Sequence, residues 1–285
     1  MRLGSFAKCS TVSAILGVAL GLGVSSPSSA ALTFTWNPSA IVDSGVGPFS
    51  ADHFGLNDFA AIDVPANPAP IGSVHESGFL APTTFLLGGT TTATANANVG
   101  AANSFGMYEQ FDATSHLAPC ATGLCGAFDS ITVNVFVYSV ANGVASFSFP
   151  GGVPTITLPS GTSAVQIGSG TGPFSGSPNV ATIQDGVPSA SVDVLFTPNP
   201  AASDFFVSPP ATMVLDLEQA FINTTGVVTG IPAGCPAAGT FPCTFIITSG
   251  GGNGNFFPVG VPEPAALGLL GVGLVALGFV RYRRS

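Results

Sequence analysis

The chain has 285 residues, 46% of them hydrophobic and only 7% charged, with 37 glycines and 24 prolines. Its five basic residues are Arg2, Lys8, Arg281, Arg283 and Arg284, so the stretch from Ala31 to Pro262 holds no lysine or arginine, yet it holds every acidic residue except Glu263. This excludes phosphate-neutralising nucleic-acid binding, lysine Schiff-base chemistry and arginine clamps within that stretch, while the apolar content is too high for simple disorder.

In chain order, Arg2 and Lys8 lead into an apolar stretch, Val12 to Val24, followed by small residues at Ser28-Ser29-Ala30. This is the layout of a secretory signal peptide over residues 1–30, with cleavage expected after Ala30 or Ala31. Strand patterns take over from residue 31. The first candidates are Leu32–Trp36, Ser73–Phe79 and Thr83–Leu87, and Val99 to Phe111 is the best helical candidate of the exported part. Ile131 to Val140 alternates, with Val133, Val135 and Val137 on one face and Thr132, Asn134, Phe136 and Tyr138 on the other. Ala145–Phe149 and Thr155–Leu158 follow. In Ser191–Thr197, Val192, Val194 and Phe196 share a face; further on, Met213, Leu215 and Leu217 oppose Asp216 and Glu218. Thr244–Thr248 is the last candidate.

Period-2 alternation marks half-buried strands, and turns such as Asn142-Gly143 and Pro150-Gly151-Gly152 separate them. The pattern predicts an all-β antiparallel sandwich or jelly-roll-like domain over residues 31–248. Thr90–Ser104 is of low complexity and fits a strand or a loop. Ser249–Asn255 (SGGGNGN) predicts a flexible linker over 249–260.

Four cysteines follow the signal segment: Cys120, Cys125, Cys235 and Cys243. An even number in an exported chain reads as disulfides, and local pairing joins Cys120 to Cys125 and Cys235 to Cys243. Zinc is the rival reading, but neither spacing is Cys-x-x-Cys.

The last 25 residues read VPEPAALGLLGVGLVALGFVRYRRS. Ala265 to Val280 is an uncharged apolar run that would span about 24 Å as a helix, a short crossing of a bilayer core of about 30 Å. Arg281, Arg283 and Arg284 form a basic tail over 281–285 that places the C-terminus in the cytoplasm. Pro262-Glu263-Pro264, the apolar run and the arginines together resemble the PEP-CTERM sorting signal of Gram-negative bacteria, here over 261–285. The resemblance implies an exosortase as processing partner, transient anchoring in the membrane through the C-terminal helix, and release to the cell surface or extracellular matrix. Thr33 to Ile41 and Pro48 to Asp52 are, in addition, similar to the start of flocculation-associated PEP-CTERM proteins.

Nothing in the sequence carries a catalytic signature. His75-Glu76-Ser77 brings three useful groups together, but neighbours on a strand point to opposite faces, and Asp52-His53 would share that defect. Asp52, Asn57, Asp58 and Asp63 form the nearest acidic cluster, without the spacing of a calcium loop. Trp36, Tyr108 and Tyr138 raise sugar stacking as a binding mode. The expectation is a non-catalytic surface or matrix protein that needs no cofactor or metal and supports an exopolysaccharide-associated biofilm or floc. The alternatives are a polysaccharide-modifying enzyme with an unrecognised carboxylate pair, and a calcium-dependent adhesin.

Overall fold

Alternating side chains leave one face of each segment apolar, and a strand with one apolar face must bury it against another. In the computed structural model this is resolved by closing a sheet on itself. The described residues are 31–65, 72–88, 93–100, 104–121, 123–175, 177, 179–184, 187–219, 227–228 and 243–259. Their strands are β1 (Phe34–Trp36), β2 (Phe49–Ala51), β3 (His53–Val64), β4 (Gly72–Leu86), β5 (Ala93–Asn96), β6 (Gly106–Cys120), β7 (Gly123–Tyr138) and β8 (Ser146–Ser148). The second half adds β9 (Thr155–Thr157), β10 (Ala164–Gly172), β11 (Asn179–Gln184), β12 (Val187–Pro198), β13 (Phe206–Val207), β14 (Met213–Gln219), β15 (Val227–Val228) and β16 (Cys243–Pro258). Among the described residues there is no α-helix.

The main sheet runs β12-β11-β7-β6-β4-β3-β16-β14, and β14 then pairs with β12. All pairings are antiparallel, and the ring is closed. One position is shared, since β10 bridges β7 and β12 toward one end of the barrel and β11 bridges them toward the other. Between these two strands the Asn179 side chain mends the wall: its Oδ1 accepts from Phe128 N–H and its Nδ2 donates to Phe128 O, both at 2.9 Å. The all-β antiparallel class therefore holds, and its opposed layers are walls of one continuous sheet. Closure gives each strand of the ring a partner on both sides, so among the described residues edges are left only to short strands such as β5 and those of the two small sheets.

Alternation decides what fills the barrel. Val133, Val135 and Val137 of β7 point inward, as do Val192, Val194 and Phe196 of β12 and Met213, Leu215 and Leu217 of β14, all buried in one core. Burying each such side chain is worth about 1.5–3 kcal/mol. One end is plugged by the small sheet β13-β1-β2. Trp36 is the hub of this plug, only 1% exposed, with ring centroids 4.9 Å from Phe85, 5.1 Å from Phe34 and 5.2 Å from Phe206. Its indole Nε1 donates to Ala51 O at 3.3 Å.

Two expectations are corrected. Residues 106–111, expected to be helical, begin strand β6, because Met107 and Phe111 continue an inward alternation through Ala113 and Leu117. Of the expected linker over 249–260, residues 249–258 are instead the second half of β16, which pairs with β3 as far as Asn255 and with β14 from Asn253 to Pro258. Glycine is structural there. A Cβ on Gly254 would lie 2.2 Å from Phe54 Cζ, so the bare backbone makes room for an inward aromatic ring, and the β domain extends beyond residue 248.

Candidate functional site

The barrel presents acids on both of its faces, and the two sets behave differently. Inside, Asp58 of β3, Glu76 of β4 and Glu109 of β6 are buried. Register places Asp58 opposite Leu80, and Leu80 opposite Glu109. The carboxyl oxygens of Asp58 and Glu109 have no hydrogen-bond partner. Burial makes the charged form costly. It pushes Glu76 up to about 7 and Glu109 to about 8, and Asp58 well above the usual range, with the charge of Glu76 adding to the effect on Asp58. Glu76 borders two cavities of about 20 Å³ each, large enough for about one water. Neither of these two cavities is large enough for a sugar ring.

Outside, each of the three histidines meets an aspartate. His75 Nε2 lies 2.9 Å from Asp112 Oδ2, and His116 Nδ1 lies 2.6 Å from Asp129 Oδ1. A carboxylate only accepts, so the ring nitrogen in each pair carries the proton. His53 and Asp52 also bond, at 2.6 Å, contrary to the expectation from strand geometry. Asp52 lies just outside a strand, so opposite faces are not imposed. Burial would raise the Asp52 pKa, but bonds from His53 and from Gly88 N–H outweigh it and hold it low.

The outer faces of β4, β6, β7 and β10 form a grid of mainly polar side chains, hydroxyls and amides with the carboxylate of Asp112 among them. One row is Ser77, Asp112, Thr132 and Thr171, each directly opposite the next; the following row is Phe79, Gln110, Asn134 and Ser169. A groove of about 320 Å³ lies over the first three strands, floored by Ser77, Gln110, Asp112, Thr132 and Asn134 and bounded by Val153 and Pro154. Gln166 Nε2 donates to Asn134 Oδ1 at 2.9 Å, which leaves the Asn134 amide to present its NH2 as a donor. Beyond the groove, the β8–β9 hairpin covers an aromatic patch in which Phe59 and Phe147 stack with centroids 4.3 Å apart.

A further acidic row crosses β12, β14 and β16: Asp193 faces Asp216, which faces Asn255. Burial first, then the Asp193 and Glu218 charges and a hydrogen bond with Asp193, push Asp216 up to about 7.

The candidate residues from the sequence are placed as follows. Glu76 points inward while His75 and Ser77 point outward, so these three form no constellation. Asp58 is buried inside, whereas Asp63 lies on the surface and accepts from Thr244 Oγ1 at 2.6 Å. Among the described residues no group of three or more His, Cys, Asp or Glu is arranged to hold a metal. Trp36, Tyr108 and Tyr138 are buried, the last with its hydroxyl donating to Asn98 Oδ1 at 2.7 Å, so none offers a free face for stacking. Cys120 and Cys125 form a disulfide at the tip of the β6–β7 hairpin. Cys235, the Cys243 side chain and the proposed signal segment including Ala30 lie outside the described residues, while Ala31 is the first residue within them. Ser77, Gln110 and Asn134 were not singled out as a site, because their juxtaposition depends on strand register.

Against known protein families, residues 260–284 match the PEP-CTERM protein-sorting motif. The chain carries a PEP-CTERM sorting signal. Pro262, Glu263, Pro264, Arg281, Arg283 and Arg284 all fall within the matched span, which lies outside the described residues. Among the described residues no helix is long and apolar enough to cross a membrane. The PEP-CTERM signal indicates export, processing by an exosortase and sorting to the cell surface or extracellular space. No curated protein and no solved structure matches the chain.

Proposed function

We propose that this PEP-CTERM protein is a non-catalytic component of an exopolysaccharide-rich layer, contributing to the structure and adhesion of a biofilm or floc. The observation that carries the reading is the sorting signal on a barrel free of lysine and arginine. The described residues that point into the barrel pack into one apolar core, which favours contact with a ligand on the outer surface. Similarity of the segment around Trp36 to flocculation-associated PEP-CTERM proteins points the same way. A deletion strain tests the proposal. Aggregation and matrix retention should fail in the deletion, return with the full chain, and stay absent with a chain ending at Gly260. Unchanged aggregation in the deletion would overturn it.

One observation favours a second reading, a polysaccharide-modifying enzyme. Asp193 and Asp216 form a carboxyl pair in which Asp216 stays protonated to near neutrality, as a general acid requires. Asp216→Asn would abolish turnover of matrix polysaccharide if this pair is catalytic, and would leave a scaffold's effect intact.

A further inference from the structure

We infer that the outer groove on β4, β6 and β7 is a binding site for an uncharged polysaccharide chain. The inference rests on the matrix reading above and deepens it by naming the ligand's chemistry and the residues that meet it.

Four observations carry it. First, the floor is a lattice that offers both donors and acceptors. Gln110 and Asn134 are planar amides, Ser77 and Thr132 are hydroxyls, and Asp112 adds acceptor oxygens. A sugar ring presents the same mixture in its hydroxyl groups. Second, the spacing is regular because the sheet is: rows repeat at about 6.8 Å along the strands and neighbours at about 4.8 Å across them. The row Ser77, Asp112, Thr132, Thr171 continues past the groove onto β10, with Thr132 and Thr171 both exposed. A linear polymer laid across the strands thus meets successive equivalent contacts. Third, the groove wall at Val153 is 62% exposed. With Pro154 it supplies an apolar surface for the C–H face of a ring. Fourth, two floor groups are already oriented. His75 holds Asp112 through Oδ2 at 2.9 Å, and Gln166 holds the Asn134 amide at 2.9 Å. Such preorganisation lowers the ordering cost of binding.

The same residues exclude other ligand classes. An anionic polysaccharide would meet Asp112, with no lysine or arginine between Ala31 and Pro262 to neutralise it. Nucleic acid fails for the same reason. A protein partner would want a desolvated aromatic centre, whereas the aromatic rings nearby are packed beneath the β8–β9 hairpin.

The test uses the protein recovered from the extracellular fraction of cells expressing the full chain, applied to an array of neutral, cationic and anionic polysaccharides. Binding should be confined to neutral polymers, persist in 0.5 M salt as roughly expected for uncharged contacts, and weaken about tenfold or more in Gln110→Ala with Asn134→Ala. Val153→Asp, altering the wall instead of the floor, should weaken it as well. Both sites are at the surface, so an unchanged thermal midpoint shows that the barrel is intact. Binding to no neutral polymer, binding only to charged ones, or neutral binding indifferent to both variants would overturn the inference. Cell aggregation separates the two levels. If the deletion abolishes aggregation while both groove variants aggregate as wild type and bind unchanged, the matrix reading stands and the groove assignment falls. If the deletion itself has no effect, the reading beneath it falls.

Discussion

Strand β6 and its neighbour β4 together place acids on both faces of the sheet, Glu76 and Glu109 inward and Asp112 outward, and the two faces teach opposite lessons about one residue type. Inward Glu76 and Glu109 sit among apolar side chains, and the cost of burying charge pushes both toward the neutral form. Outward Asp112, three residues beyond Glu109 on β6, is exposed to water and pairs with His75. The first set links stability to pH; the second organises a surface. Position on the pleat, not composition, makes the difference.

The largest expected effect breaks the interior set. Their folded pKa values lie above the unfolded ones, so the associated stability is fully present below about pH 4.5 and is lost as pH rises through about 7 and 8. At about 1.4 kcal/mol for each pH unit of displacement, several kcal/mol are at stake. Asp216 adds to the fall with the same sign. Urea midpoints measured from pH 4 to 9 should decline steadily. Glu76→Gln with Glu109→Gln should flatten that profile, and a maximum near pH 8 in the wild type would contradict the account.

Next in size is the aromatic plug. Trp36→Ala removes a buried side chain at the centre of a ring cluster and should cost about 3–5 kcal/mol, read as a lower urea midpoint at pH 5, where the interior acids are neutral. The smallest effect belongs to the outer face. His75 and Asp112 are both well exposed, so His75→Ala should change stability by less than about 1 kcal/mol. A thermal midpoint within a few degrees of wild type would sharpen the contrast between the faces; a collapse would erase it.

Much of the fold was legible because alternation is a local signal. Val133, Val135 and Val137 announced the inward face of β7, and Met213, Leu215 and Leu217 that of β14. Closure was not legible, since it depends on β14 meeting β12 and on one ring position shared by β10 and β11. The helical reading of Val99 to Phe111 failed over 106–111, which begin strand β6, and the glycines of β16 mimicked a tether because their partners, Phe54 among them, are far away in sequence. The candidate groove suffered most. Ser77, Gln110 and Asn134 are ordinary polar strand residues until register sets them side by side. The sorting signal was readable for the opposite reason: its three features are contiguous.

The central claim is that the C-terminal segment is an address removed on delivery and that the barrel is what remains at the surface. Intact-mass measurement of the extracellular species tests it most directly. The account predicts a chain beginning near Ala31 and ending near Pro264, without Arg281, Arg283 and Arg284. An extracellular form still carrying Arg284 would contradict it.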